Sequence, residues 1–155
     1  MQSTIRFMLS VSVVVALVLW GGLSSASPAE RVFLPGQVWK YMTRPNENMS
    51  LIIICKVETL NGVQIVHVVI DGLKMKQQGM PAGEIDRIGH LPFTETAMQN
   101  SVTQLVETSN VPDDYLIGYR QWRALYNQRK ATAISVNVRD ALRHIENSIN
   151  GVEGQ

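Results

Sequence analysis

The 155-residue sequence contains a single cysteine, Cys55. One cysteine cannot form an internal disulfide, and it cannot supply a zinc site that needs a cysteine pair. The sequence also lacks a charge excess of either sign, because 14 Lys and Arg residues accompany 13 Asp and Glu residues. It therefore has no basic excess of the kind that nucleic-acid-binding proteins use, and no nucleic-acid partner is predicted.

Motifs for cofactors and metals are absent as well. No glycine-rich loop followed by Lys and Ser or Thr occurs, so no phosphate-binding loop is predicted. His67, Asp71 and His90 are the best metal candidates, but their positions match no recognised ligand spacing. The sequence therefore predicts neither a metal site nor a cofactor.

One long uncharged run is present, near the amino terminus. Arg6 precedes a mostly apolar run at 7–20, and the small residues Ser24 and Ala26 follow it. This order is typical of a secretory signal peptide, and the run is shorter than the roughly 20 residues that cross a bilayer. We predict a signal peptide at 1–26, export to the periplasm or secretion, and no stable membrane insertion after cleavage. The alternative is an uncleaved inner-membrane anchor at 7–23.

The rest of the chain, 27–155, is predicted to form one α+β domain that begins with a flexible tail at 27–35. Three strands are predicted, at 37–43, 49–59 and 63–71, because these segments are rich in β-branched and aromatic residues. Asn61 and Gly62 separate the last two strands, and this pair favours a two-residue hairpin turn.

The hairpin turn sets the pairing of its two strands. With Asn61-Gly62 as the turn, Val57 faces Val66 and Cys55 faces Val68 on an apolar face. Lys56 then faces His67 on the other face, beside Glu58. This register predicts that Cys55 is a buried core residue that cannot contact His67.

The second half of the chain is predicted to be mainly helical. Residues 72–89 are predicted to form a long loop, with a candidate extended piece at 84–88. Helices are predicted from Thr94 to about Glu107, from about Pro112, and after a cap at Asn137. Residues 131–136 are a candidate short strand. The predicted architecture is a three-stranded antiparallel meander, with a candidate fourth short strand, packed against two to three helices.

Four aromatic residues of the second predicted helix share one face. Tyr115, Tyr119, Trp122 and Tyr126 recur at helical spacing, and we call them the aromatic stripe. One interpretation is a helix face packed on the sheet. The other is an exposed binding surface, and these four residues are the candidate binding residues.

The sequence favours a small exported binding protein without chemistry of its own, of which an inhibitor or immunity-type protein is one form. Its predicted partner is another envelope or secreted protein, and the oligomeric state is not predicted. One alternative is a small hydrolase in which His90, the single candidate catalytic residue, acts with the nearby carboxylates Glu84, Asp86 and Glu95. The other alternative is a membrane-anchored structural protein of the envelope.

Overall fold

The computed structural model describes residues 30–79 and 84–152. The predicted signal peptide at 1–26, the alternative anchor at 7–23 and the first residues of the predicted tail, 27–29, lie outside the described residues. So do positions 80–83 of the predicted loop. The described part of the predicted tail is not a free tail, because Phe33 is buried in the hydrophobic core and Arg31 forms hydrogen bonds with Gln99. Within the described ranges, no helix is long and apolar enough to cross a membrane.

The described chain is α+β, as predicted, and its strands form one antiparallel sheet in the order β4-β3-β2-β1-β5. The predicted three-stranded meander was incomplete, because the sheet has five strands. In chain order the elements are β1 Gln37–Tyr41, β2 Leu51–Leu60, β3 Val63–Lys76, β4 Glu84–Thr94, α1 Glu95–Gln99, β5 Val102–Thr108, α2 Tyr115–Asn127 and α3 Val138–Ile149.

The two faces of the sheet are covered by different helices. Helices α1 and α3 pack on the first face, where they enclose the main hydrophobic core. Helix α2 lies on the opposite face, over β3 and β4. The core side chains that are almost fully buried include Ile52, Ile54, Val68, Phe93 and Leu142.

Strand β5 corrects the predicted helix from Thr94 to Glu107. Helix α1 ends at Gln99, and the chain then returns to the sheet beside β1. Met98, Val102 and Leu105 recur at helical spacing, but the β-branched residues at 102, 103, 106 and 108 favour an extended chain. The hydroxyl of Ser101 accepts a hydrogen bond from the Val138 amide (2.9 Å), which ties the turn after α1 to the start of α3.

The predicted loop at 72–89 was also wrong for most of its length. Strand β3 continues to Lys76, and β4 begins at Glu84, so the candidate extended piece at 84–88 belongs to a full strand. Buried Leu73 and Met75 alternate with exposed lysines, which is the two-residue period of a strand. This period was missed because the segment is rich in glycine. The candidate strand at 131–136 contributes only a single bridge, between Ile134 and Phe93.

The hairpin register was correct near the turn and wrong beyond it. Val57 pairs with Val66 and Lys56 with His67, as predicted. A β-bulge at Cys55 then shifts the register by one residue, so that Ile54, and not Cys55, pairs with Val68. The bulge moves Ile54 onto the core face and removes Cys55 from the hydrophobic core that was predicted for it.

The predicted caps of the first and third helices are present. The Thr94 hydroxyl accepts a hydrogen bond from the Ala97 amide (3.2 Å), and the Asn137 side chain accepts one from the Asp140 amide (2.9 Å). These bonds satisfy amide groups that have no partner inside the helix.

Candidate functional site

A polar cluster lies between α2 and the sheet, on the face opposite the main core. The α2 rings of Tyr119 and Trp122 contact His67 of β3 and His90 of β4, with ring centroids 5.0 to 6.2 Å apart. Glu58 of β2 completes the group through a hydrogen bond to His67. We call these five residues the histidine cluster.

The two histidines are in direct contact. Nδ1 of His67 lies 3.0 Å from Nε2 of His90, and the two rings are inclined by only 16°. His90 occupies a bulge in β4, since Gly89 and His90 together lie opposite Val69. Bulges commonly redirect a side chain at a functional or packing site.

Glu58 accepts hydrogen bonds from two members of the cluster. Its Oε1 atom is 3.1 Å from Nε2 of His67 and 3.1 Å from the hydroxyl of Tyr119. The ammonium of Lys56 lies 3.6 Å from Oε2 and donates to the Tyr119 hydroxyl at 2.8 Å. Burial alone would raise the pKa of Glu58, but the Tyr119 hydrogen bond and the positive charge of Lys56 outweigh burial and lower it. Glu58 is therefore a carboxylate at neutral pH.

Both imidazoles are neutral at neutral pH. Burial lowers the pKa of His67 to about 4, and the neighbouring Glu58 carboxylate opposes this effect without reversing it. Burial also lowers the pKa of His90 to about 4, with a smaller contribution from the nearby His67. The cause is that an imidazolium loses its hydration in the contact between helix and sheet.

Neutral rings fix the direction of the hydrogen-bond chain. Because Glu58 can only accept, Nε2 of His67 carries the proton and donates to the carboxylate. Nδ1 of His67 is then an acceptor, so Nε2 of His90 donates to it. The remaining ring nitrogen, Nδ1 of His90, has a lone pair and is the basic end of the chain. A carboxylate and two imidazoles hydrogen-bonded in series are of the type that transfers protons in enzymes.

Gly118 lets α2 approach His90 closely. A Cβ atom at position 118 would lie only 2.6 Å from the Cβ atom of His90. Beside it, the buried ring of Trp122 donates from Nε1 to the carbonyl of Thr132 at 3.1 Å. The cluster is therefore closely packed and tied to the chain that follows α2.

The aromatic stripe lies along the sheet-facing side of α2 but is not uniformly buried. Trp122 is buried, whereas Tyr115, Tyr119 and Tyr126 are half-buried. Neighbouring rings along the stripe are 4.9 to 6.4 Å apart. Tyr119 and Trp122 belong to the histidine cluster, while Tyr126 lies beyond it towards the hairpin turn.

Cys55 lies near the start of α2, on the side of the sheet that also carries His67. The sequence had predicted that these two residues point to opposite faces of the sheet. Its nearest charged groups include Asp114 and Arg87, which pair with each other on this side of the sheet. Burial raises the pKa of the thiol to about 12, so it carries no thiolate at neutral pH. The burial of Cys55 was predicted correctly, although its place in the register was not.

The carboxylate that reaches the histidines is Glu58, and not one of those predicted to act with His90. Glu84 and Asp86 are exposed, and Glu95 opens α1. The predicted register already placed Glu58 beside Lys56 and His67, which was the available signal. The contact of His90 with His67 was not predicted, because most of the strand that carries His90 was predicted to be a loop.

The third metal candidate, Asp71, does not join the cluster, because it pairs with Arg87. Among the residues that the structure describes, no group of three or more metal-ligating side chains occurs.

A cleft of about 450 Å³ opens next to the histidine cluster, between the hairpin turn and the carboxyl end of α2. Tyr126 links the two sides, since its hydroxyl accepts a hydrogen bond from the Asn61 side chain at 3.1 Å. We call this space the α2 cleft. The described residues that line it are Leu60, Asn61, Arg123, Tyr126, Asn127 and Arg129.

A second groove, of about 400 Å³, lies near the start of β2 and the end of α3. Its buried arginine, Arg44, pairs with Glu47 and with Glu146. Glu47 also accepts a hydrogen bond from the Lys74 amide at 2.7 Å. The polar groups of this groove therefore largely satisfy one another.

No protein-family model, no curated protein and no solved structure matches the chain. Two polar features of the described residues bear on function. One is the hydrogen-bonded chain of Glu58, His67 and His90, and the other is the α2 cleft.

Proposed function

We propose that the protein is a small exported binding protein without catalytic activity, and that the α2 cleft is its ligand site. Export is inferred from the amino-terminal sequence. The observation that carries the binding role is the α2 cleft itself, an open volume lined by amide, guanidinium and phenol groups. Its volume lies in the range of about 300–1,000 Å³ that is usual for small-ligand sites.

The residues of the α2 cleft support recognition. Leu60 and the ring of Tyr126 offer apolar contact, while Asn61, Asn127 and the two arginines offer hydrogen-bond donors. The lining is predominantly polar, so it suits a polar or charged ligand group better than an apolar one. The ligand group belongs to another envelope or secreted protein, or to a small molecule in the same compartment. An inhibitor or immunity-type protein is one form that such a binding protein takes.

The chemistry of the histidine cluster and the thiol disfavours catalysis. An imidazole whose pKa is about 4 is a weak base, so it removes a proton from a hydroxyl poorly at neutral pH. A thiol whose pKa is about 12 supplies almost no nucleophilic thiolate. We interpret the histidine cluster as a structural network that fixes α2 on the sheet.

Ligand-observed NMR with a library of small soluble fragments tests the binding role. Fragments should bind the wild-type protein, and binding should be lost in Tyr126→Ala, which removes a wall of the α2 cleft. Tyr115→Ala is the matched control, because Tyr115 is also a half-buried tyrosine of α2 but lies at its other end. Equal binding to both variants, or no binding to the wild type, would contradict the proposal.

A hydrolase that uses His90 is the second candidate function. The observation that favours it is the Glu58–His67–His90 chain, which ends in a basic ring nitrogen. A screen of esterase, amidase and phosphatase substrates tests it, with His90→Ala as the matched variant. An activity present in the wild type and absent from His90→Ala would establish the enzyme and overturn the binding proposal.

A further inference from the structure

We propose that the α2 cleft binds an oxyanion, either a carboxylate or a phosphate group. This inference rests on the proposed binding function and adds the chemical class of the ligand. Two of the described lining residues, Arg123 and Arg129, are positively charged, and none of the described lining residues is a carboxylate. Guanidinium groups bind carboxylates and phosphates through paired hydrogen bonds, which makes them the preferred side chains for such ligands.

Arg129 lies at the carboxyl end of α2, in the turn that closes the helix beside the α2 cleft. Its φ angle is 59°, a left-handed conformation that glycine or asparagine adopts more easily at the end of a helix. Its amide donates to the carbonyl of Tyr126 at 2.9 Å. Its side chain is exposed and lines the α2 cleft. An arginine held at this turn is therefore free to contact a ligand in the α2 cleft.

Arg123 also has an unfilled donor. Its Nη1 atom is buried and has no hydrogen-bond partner within the described part of the chain. Glu58 lies 3.7 Å from this atom, which makes an ion pair but not a hydrogen bond, and Glu58 already accepts hydrogen bonds from His67 and Tyr119. A buried donor without a partner is unusual in a folded protein and marks a place where a ligand or water is expected.

Competing acceptors near the arginines are already occupied. The carbonyls of Leu125 and Tyr126 accept hydrogen bonds from the amides of the turn that follows α2. The Tyr126 hydroxyl accepts from Asn61, which leaves its own proton available to donate. The lining therefore includes guanidinium, amide and phenol donors that an oxyanion can use.

The charges that surround the α2 cleft are positive overall. Lys56 and Glu58 lie on the sheet side, where they partly neutralise each other at 3.6 Å. Arg123 and Arg129 contribute two further positive charges from α2 and from the turn after it. The groove around Arg44 differs from the α2 cleft, because its arginine already forms ion pairs with two glutamates.

A titration followed by amide and arginine side-chain NMR signals tests the proposal. The probes are acetate, inorganic phosphate and acetamide, with sodium chloride keeping the ionic strength constant. Acetamide has the shape of acetate without its charge. We expect acetate or phosphate, but not acetamide, to shift the side-chain signals of Asn61, Asn127 and Arg123. Which of the two anions binds more tightly identifies the source, a carboxylate or a phosphate.

Two matched arginine variants make the titration decisive. Arg129→Gln should weaken anion binding at least about tenfold, because a hydrogen bond to a charged group is lost. Arg120→Gln, at an exposed position of α2 outside the lining, should leave it unchanged. Retained peak dispersion and an unchanged melting temperature show that each variant is folded.

The other outcomes overturn the proposal in distinguishable ways. If acetamide binds as well as acetate, the cleft recognises neutral groups, and the oxyanion class is wrong while the binding function stands. If anions bind equally to wild type and Arg129→Gln, the arginine of the α2 cleft does not bind the anion, and the oxyanion proposal is wrong. If no probe shifts the cleft signals although fragments still bind there, the oxyanion assignment alone fails.

Discussion

His67 illustrates how a single residue sets the pH range in which the fold is stable. It is fully buried, and burial lowers its pKa from the ordinary value near 6.5 to about 4. Between these two values the unfolded chain binds the proton and the folded chain does not. The stabilising contribution of neutral His67 is therefore complete above pH 6.5 and is lost as the pH falls towards 4.

We expect the free energy of unfolding to fall between pH 7 and pH 4. One pKa unit corresponds to about 1.4 kcal/mol, so His67 contributes at most about 3–4 kcal/mol to this fall. His90 acts in the same direction, and below about pH 4.5 the lowered pKa of Glu58 adds a further loss. Urea unfolding at both pH values measures the change, with His67→Gln as the comparison. A wild-type stability that does not depend on pH would contradict the account.

Cys55 gives a second test at the residue scale. Its thiol is buried and its pKa is about 12, so the folded protein should react slowly with a thiol reagent at pH 8. The same protein in denaturant should react fully. Cys55→Ser should cost roughly 1–3 kcal/mol, because the hydroxyl has a poorer set of partners in this position. Rapid labelling of the folded protein would show that the bulge at Cys55 is placed incorrectly.

At the scale of elements, α2 depends on the absence of a side chain at one position. Replacing glycine by alanine inside a helix usually stabilises it by about 0.5–1 kcal/mol. At Gly118 the added Cβ would lie 2.6 Å from the Cβ of His90, so the sign should reverse. We expect Gly118→Ala to destabilise the protein by roughly 1–3 kcal/mol in thermal or chemical unfolding.

A double variant separates this contact from other effects of the substitution. In a His90→Gly background the contacted Cβ is missing, so Gly118→Ala should lose most of its cost. If the cost is the same in both backgrounds, the contact between α2 and His90 does not cause it.

The elements that the sequence predicted well are those with strong local signals. The Asn61-Gly62 hairpin and the capped starts of α1 and α3 depend on turn or cap residues that act over a few positions, and α2 was predicted from the helical spacing of its aromatic residues. Strand β5 could not be predicted in the same way, because it pairs with β1, a distant segment. The β-bulge at Cys55 also depends on the packing of Ile54 in the core. No residue near Cys55 in the sequence predicts this bulge.

The residues of the candidate site also differ in whether local sequence signals could predict their positions. Glu58, Lys56 and His67 are adjacent through the hairpin register, so their shared face was predicted from the turn. His90 and Arg129 join the site only through the pairing of β4 and the packing of α2. Those contacts are set by the tertiary structure, which the spacing of residues along the chain does not reveal.

At the scale of the whole molecule, the prediction that concerns location is signal cleavage. The positive start, the short apolar run and the small residues Ser24 and Ala26 predict a mature protein that begins at Ser27. Intact mass spectrometry of protein recovered from its native host should give the mass of residues 27–155. A full-length product in the membrane fraction would favour the anchored alternative at 7–23.

The sheet separates the two roles that we assign to the molecule. One face holds the main hydrophobic core under α1 and α3, and the other holds the histidine cluster under α2. The α2 cleft lies at the margin of this second face, where the polar groups are not all paired. Binding is therefore proposed at the edge of the cluster, and the cluster itself is assigned to holding α2 in place.

The most direct test of this division is the protonation of the two histidines, measured by imidazole ¹⁵N NMR from pH 7 to pH 4. The account predicts two neutral rings down to about pH 4, with the proton on Nε2 in both His67 and His90. Small ligands of the α2 cleft should leave these signals largely unchanged. A ring that titrates near 6.5, or a His90 signal that responds directly to a bound substrate, would contradict a structural role and favour the catalytic alternative.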